Sequence, residues 1–151
     1  MEKPGVLFVC TANTARSVMA EALFRREAGD RYEVASAGLH PMPINPLTVE
    51  VLREVGIELG DFEPRGVGEL LGRGSFRYVV AVCQAAEEAC PRIWPFALHF
   101  LSWPLEDPAS CLGTHEERLH TFRTIRNQIH DRVREWAEEL KSVAHLPVDR
   151  K

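Results

Sequence analysis

Residues 5–26 constrain this chain more than any other stretch. The run Gly5-Val6-Leu7-Phe8-Val9 is short and wholly apolar, which reads as a strand buried on both faces and therefore parallel to its neighbours. After Ser17, residues Val18, Met19, Ala22 and Leu23 share one face of a helix. Between strand and helix lies the tight loop Cys10-Thr11-Ala12-Asn13-Thr14-Ala15-Arg16-Ser17. Its backbone N–H groups are expected to point inward at the start of a helix, where the macrodipole leaves about +0.5 of a charge. Residues Thr11, Ala12, Asn13, Thr14, Ala15, Arg16 and Ser17 thus read as an anion cradle. A thiol reacts as its thiolate, a form favoured by a helix N-terminus and a nearby cation, so Cys10 is the expected nucleophile. Arg16 presents a planar fork to two oxygens of a tetrahedral oxyanion. The Ser17 hydroxyl can donate to the Cys10 sulfur, and Asn13 tolerates the left-handed backbone that such a loop needs.

The chain has 151 residues, 45% of them hydrophobic and 26% charged, which fits one globular domain with a real core. That domain is expected over residues 1–142, with 143–151 as a C-terminal tail. A net charge of −4 argues against a nucleic-acid partner. No apolar run approaches the ~18 residues that span a bilayer, and the N-terminus lacks a signal-peptide pattern. A cytoplasmic monomer without membrane association is expected. Cysteines at positions 10, 83, 90 and 111, with no secretory signal, point to catalytic or redox thiols rather than a disulfide scaffold. They contain no Cys-x2-Cys pair, and His40, His99, His115, His120, His130 and His145 have no metal-ligand spacing. Neither metal nor cofactor is expected.

The remaining chain alternates strands and helices. Tyr32–Ser36 reads as a second strand ended by Ala37-Gly38, with the helix over 18–28 as its crossover. Asn45-Pro46 supplies an N-cap and a first-turn proline, Leu47, Val51, Leu52 and Val55 form a stripe, and Gly56 closes that helix. Residues 59–76, rich in glycine with Val67, Leu70 and Leu71 as apolar points, read as irregular chain with one short helix. Tyr78–Val82 is a third strand ending at Cys83, and Gln84–Ala89 is helical until Pro91 stops it. Ala97–Leu101 is a fourth strand. Leu119, Phe122, Ile125, Ile129, Val133, Trp136 and Leu140 recur at spacings of three and four along a long amphipathic helix. Trp94, Trp103 and Trp136 read as packing, while Arg25, Arg26, Arg123 and Arg126 read as solvated helix faces. The pattern predicts an α/β fold: a single domain with a four-stranded parallel sheet and helices on both faces. In such sheets ligands bind beyond the carboxyl ends of the strands, where Cys10, Cys83 and Asp107 all fall.

The loop Cys10-x5-Arg16-Ser17 resembles the phosphate-binding loop of the low-molecular-weight protein tyrosine phosphatase superfamily. The similarity extends through Ser36-Ala37-Gly38, Gly56-Ile57 and Asp107-Pro108. Two families share the loop, the phosphatases and the thioredoxin-coupled arsenate reductases. In both, an Asp-Pro after the last strand supplies a general acid, so the resemblance assigns that role to Asp107. Many of the phosphatases carry an aromatic residue just after Asp-Pro to hold a phenol ring, whereas this chain reads Asp107-Pro108-Ala109-Ser110.

Two further thiols decide between the families. A phosphatase needs one cysteine, because no electrons move. A reductase must supply two electrons, and its family has a cysteine pair seven positions apart after the third strand, which Cys83 and Cys90 match. The resemblance therefore implies an arsenate reductase with a Cys10, Cys83 and Cys90 relay and thioredoxin as reductant. The alternative is phosphomonoester hydrolysis through a Cys10 phosphoenzyme, with phosphate in place of arsenate in the cradle. If 83–90 is helical, its ends lie roughly 10 Å apart, at about 1.5 Å per residue. A disulfide spans at most about 7 Å between Cα atoms, so the segment must unwind to oxidise. Cys111 matches no position in the family. Glu21, with Asn13 and Ser36, is placed to brace the loop. Relatives often have glycine at position 12, where Ala12 is expected to be strained or to narrow the pocket. Some also bind potassium through an acidic residue that has no counterpart in Phe62-Glu63-Pro64-Arg65.

Overall fold

The computed structural model describes residues 3–70, 76–93 and 97–144. Four strands, β1 (Gly5–Cys10), β2 (Glu33–Gly38), β3 (Tyr78–Ala81) and β4 (His99–Ser102), form one parallel sheet in the order β2-β1-β3-β4. Four helices accompany it: α1 (Arg16–Ala28), α2 (Pro46–Glu54), α3 (Gln84–Ile93) and α4 (His115–Ala144). Strand order reverses at β1, which has β2 on one side and β3 on the other. Cys10 is the last residue of that strand, so the switch point sits at the thiol.

Side-chain alternation along the strands assigns the faces. Phe8 of β1 and Tyr78 of β3 both meet Trp136 of α4, and Phe8 also meets Phe24 of α1 and Trp103. Val79 and Ala81, one step out of phase, line a small space with Cys90 of α3 on the opposite face. Burying rings such as Phe8 and Phe24 is worth about 1.5–3 kcal/mol each, which anchors the strand whose end carries the site. Every stripe residue of α4 from Leu119 to Leu140 is buried.

Local signals place the elements well. Asn45 Oδ1 accepts the Leu47 N–H at 2.9 Å with Pro46 in the first turn, and Gly56 takes φ +87 beyond the end of α2. The short helix expected in 59–76 is a 3-10 turn at Val67–Glu69. Strand ends move by up to two residues: β2 runs on to Gly38, β3 stops at Ala81 and β4 is shifted to His99–Ser102. Pro91 does not end α3, which continues to Ile93; proline keeps a helical φ and forfeits one hydrogen bond, to the carbonyl of Glu87.

The arginines differ most from expectation. Arg126 is buried and donates to the Val51 carbonyl at 2.9 Å and to Glu54 at 2.8 Å, while Arg123 grips the same carboxylate at 2.7 Å. These two are the clasp between α4 and α2 rather than a solvated face. Arg25 pairs with the buried Glu21 one turn earlier, and Arg26 donates to the Val55 carbonyl at 2.6 Å. Trp103 and Trp136 pack as expected, whereas Trp94, Leu71, His145 and residues 145–151 of the tail lie outside the described residues.

Candidate active site

The loop between β1 and α1 is held from outside by its carbonyls. Leu39, His40 and Met42, in the chain leaving β2, donate N–H groups to the carbonyls of Cys10, Thr11 and Ala12 at 3.0, 2.7 and 3.1 Å. The buried Thr48 hydroxyl of α2 donates to the Thr14 carbonyl at 2.6 Å. With four carbonyls turned outward, the N–H edge of the loop is left for the cavity. No side chain caps the first turn of α1, so its N–H groups are free to meet an anion there.

Asn13 is the hinge of the turn. It has φ 57, the only positive φ among the described non-glycine residues, so Ala12 bears no left-handed strain and simply lines the pocket. The Asn13 Oδ1 accepts the Arg65 N–H at 2.9 Å, which orients its amide so that Nδ2 donates to Ser17 at 2.9 Å and to Ser36 at 3.0 Å. Ser36 in turn donates to Glu21. The bracing role expected of Glu21 and Ser36 is therefore present as hydrogen bonds.

Two donors converge on the Cys10 sulfur. The Asn13 N–H lies 3.2 Å and the Ser17 Oγ 2.8 Å from the Cys10 Sγ, and both can serve a thiolate. Arg16 is fixed by the Leu105 carbonyl at 3.1 Å, and its other terminal nitrogen lies 3.8 Å from Asp107. Asp107 caps the 3-10 turn Pro108–Ser110 by accepting the Ala109 N–H at 3.0 Å, which presents its carboxylate on the rim. Cys10, Thr11, Ala12, Thr14, Ala15, Arg16 and Asp107 line one open cavity of about 370 Å3, with Met42, Pro43, Ile44 and Ala109 among its walls. None of its lining residues is aromatic.

Cys83 reaches the loop from the far side. Its Sγ is 3.4 Å from the Thr11 Oγ1, and it immediately precedes α3, whose first-turn dipole favours negative charge. Cys90 is buried against β3 and β4, and burial, with the nearby Cys83 thiol as the lesser cause, pushes it up to about 12. All four cysteines are free thiols. Cys111 stands apart, accepting the Thr121 hydroxyl at 3.3 Å. Among the described residues no group of three or more His, Cys, Asp or Glu is arranged to hold a metal, and no helix is long and apolar enough to cross a membrane.

The chain matches the low molecular weight phosphotyrosine protein phosphatase family over residues 5–145. It belongs to that family. An arsenate reductase of Halalkalibacterium halodurans is 34% identical over 139 residues, covering 91% of this chain and 98% of the relative. A solved arsenate reductase in the phosphate-binding state superposes with a TM-score of 0.75 at 27% identity, covering 90% of this chain and 98% of that one. The low molecular weight protein tyrosine phosphatase of T. tengcongensis gives a TM-score of 0.74 at 24% identity, over 91% and 99% of the two chains, a likeness of fold alone. The family fold thus serves proteins of both names.

Sequence reading missed Thr48, the Leu105 carbonyl and the dependence of the loop on Arg65. Thr14 and Thr48 are 34 residues apart and Arg16 and Leu105 are 89 apart, and no local pattern marks such pairs. Gly38 reads in sequence as a strand end and as part of the resembling stretch 36–38, neither of which shows that a Cβ there would lie 2.7 Å from backbone atoms of both Ala12 and Asn13.

Proposed function

We propose that this protein reduces arsenate to arsenite, with Cys10 as nucleophile, Arg16 and the N–H groups of residues 11–17 as the oxyanion cradle, and Asp107 as general acid. The Cys10 thiolate attacks the arsenic of bound arsenate. An As–O bond breaks as Asp107 gives its proton, and water leaves. The Cys83 sulfur then attacks the Cys10 sulfur. An S–S bond forms, the S–As electron pair stays on arsenic, and arsenite departs with the two electrons that the thiols have lost. Cys90 attacks Cys83, returning Cys10 as a thiol, and the Cys83–Cys90 disulfide is reduced by thioredoxin. The enzyme acts as a monomer and needs no cofactor of its own.

The observation that carries this reading is the placement of Cys83, 3.4 Å from the hydroxyl of Thr11 in the nucleophile's own loop. A hydrolase has no use for a second thiol there. The absence of an aromatic residue among the lining residues also suits a small inorganic oxyanion better than a phenol ring. The similarity to proteins named arsenate reductase over nearly their whole length points the same way.

The test is NADPH consumption in the presence of thioredoxin and its reductase, with and without arsenate, for the parent and for Cys83→Ser and Cys90→Ser. Arsenate-dependent turnover that either substitution abolishes is the expected result. Aryl-phosphate hydrolysis that requires Cys10 but ignores both substitutions, with no arsenate turnover, would make the protein a phosphatase.

A further inference from the structure

Glu21 is an acidic side chain only 4% exposed, in the middle of a helix, and nothing in the chemistry proposed for the loop uses it. Its carboxylate has two partners. One oxygen accepts the Ser36 hydroxyl of β2, and the other accepts Arg25 from the next turn of α1. The same Arg25 nitrogen donates to the Val34 carbonyl at 2.6 Å, so the guanidinium is pinned to β2 two residues before Ser36. A carboxylate in a buried place needs such a counter-charge, and losing one partner of a buried pair leaves an uncompensated charge.

The bonds beyond Glu21 run in one direction. An ionised carboxylate only accepts, so the Ser36 hydrogen goes to Glu21 and the Ser36 oxygen receives Asn13 Nδ2 at 3.0 Å. The second hydrogen of that amide goes to the Ser17 oxygen at 2.9 Å, and the amide cannot turn over because its carbonyl already holds the Arg65 N–H. Ser17 keeps its own hydrogen for the Cys10 sulfur, 2.8 Å away. Every atom between Glu21 and Cys10 belongs to a buried residue.

We propose that Arg25 is a positioning residue for Cys10: its guanidinium fixes the Glu21 carboxylate as the far end of a hydrogen-bond chain, through Ser36, Asn13 and Ser17, that terminates on the nucleophilic sulfur. Arg25 touches neither the cavity nor the thiol. It acts by keeping Asn13 and Ser17, the two donors to the sulfur, in place. At 52% exposure it closes the chain at the surface, where small solutes reach it. The role holds whether the loop reduces arsenate or hydrolyses a phosphomonoester, because it concerns the reactivity of Cys10 alone.

The experiment measures iodoacetamide modification of Cys10 against pH, resolved by peptide mass spectrometry in the full-length reduced protein. Arg16, Asp107 and Cys83 are the charged or titratable groups that face Cys10 from α1, the acid loop and the start of α3, and none is altered. Arg25→Met is expected to slow Cys10 modification at neutral pH about tenfold and to move its profile to higher pH, since displacing a reacting group by about 1 Å costs up to ~100-fold. Added guanidinium chloride, at concentrations that do not unfold the protein, should restore much of the loss. In E21Q/R25M the amide still accepts from Ser36 and carries no charge, so the profile should return toward the parent. A merely structural Arg25 would lower Tm and leave the profile unmoved, and that outcome overturns the proposal. So does a double variant as slow as Arg25→Met. Should Arg25→Met fail to fold, Arg25→Gln is held to the same criterion.

Discussion

At the scale of single residues, the site depends on one missing side chain as much as on those present. Gly38 ends β2 directly opposite Cys10 in the parallel register, and the loop crosses it with no room for a methyl group. Gly38→Ala must push the backbone of Ala12 and Asn13 away from β2, and overpacking of this kind costs about 1–3 kcal/mol. Turnover that depends on Cys10 should fall further than stability, because the displaced atoms are those that carry the cradle. Gly68→Ala is the control, since a Cβ at Gly68 meets nothing within 4 Å; it should stay within about 0.5 kcal/mol of the parent. Denaturant titrations of both variants, set beside their turnover, check this. The loop that carries Cys10, Asn13, Arg16 and Ser17 is legible in sequence because strand, loop and helix follow one another within residues 5–28, so its geometry is written in local order. Gly38 and Thr48 act through contacts made only when β2 and α2 fold back over the loop, and Arg25, though its pair with Glu21 is local, meets the Val34 carbonyl only once β2 is in place.

At the scale of elements, α3 is where reading by pattern and the observed structure part. Pro91 marks a helix end in most sequences, yet here the helix carries it and reaches Ile93. The consequence is chemical. A helix that begins just after Cys83 and includes Cys90 keeps their two Cα atoms about 10 Å apart, by rise per residue, beyond the span of a disulfide. Cys90 is also buried with its thiol pushed up to about 12, which leaves far less thiolate than an unperturbed cysteine near neutral pH. In the reduced protein Cys90 should therefore resist alkylation at pH 8 while the partly exposed Cys111 reacts. Oxidation of the Cys83–Cys90 pair should strip hydrogen-exchange protection from the amides of residues 84–90 and leave α1 unchanged. Equal protection of α3 in both redox states would exclude a disulfide made by unwinding it. The proline, two residues before the end of α3, removes one of the bonds that would oppose that opening.

Across the whole molecule, the sheet and its aromatic layer follow from apolar periodicity, while the clasp between α2 and α4 does not. Arg123 and Arg126 lie 69 and 72 residues from Glu54, and a charged residue on an amphipathic helix looks the same in sequence whether it meets water or a carboxylate. In the fold the Arg123 hydrogen bonds, ahead of those from Arg126, hold the Glu54 carboxyl below its ordinary value of 4.5. A depressed folded-state value means that the unfolded chain binds the proton more readily. The clasp is thus fully present above about pH 4.5 and is lost as pH falls through the lower folded value. Glu54→Gln should destabilise the protein at pH 7 by about 0.5–1 kcal/mol, the range of partly exposed ion pairs screened by solvent. The gap between variant and parent should narrow as the pH is taken from 5 to about 3, because the parent loses there what the variant never had. Thermal unfolding across that range decides the matter: parallel curves would mean that Glu54 does not clasp α4 in solution, whereas converging curves place the acid-labile joint of the fold between α2 and α4. That joint lies nearly two turns beyond Thr48, the α2 residue that holds the Thr14 carbonyl of the loop after β1, so acid should loosen that loop from its outer side before the sheet itself unfolds.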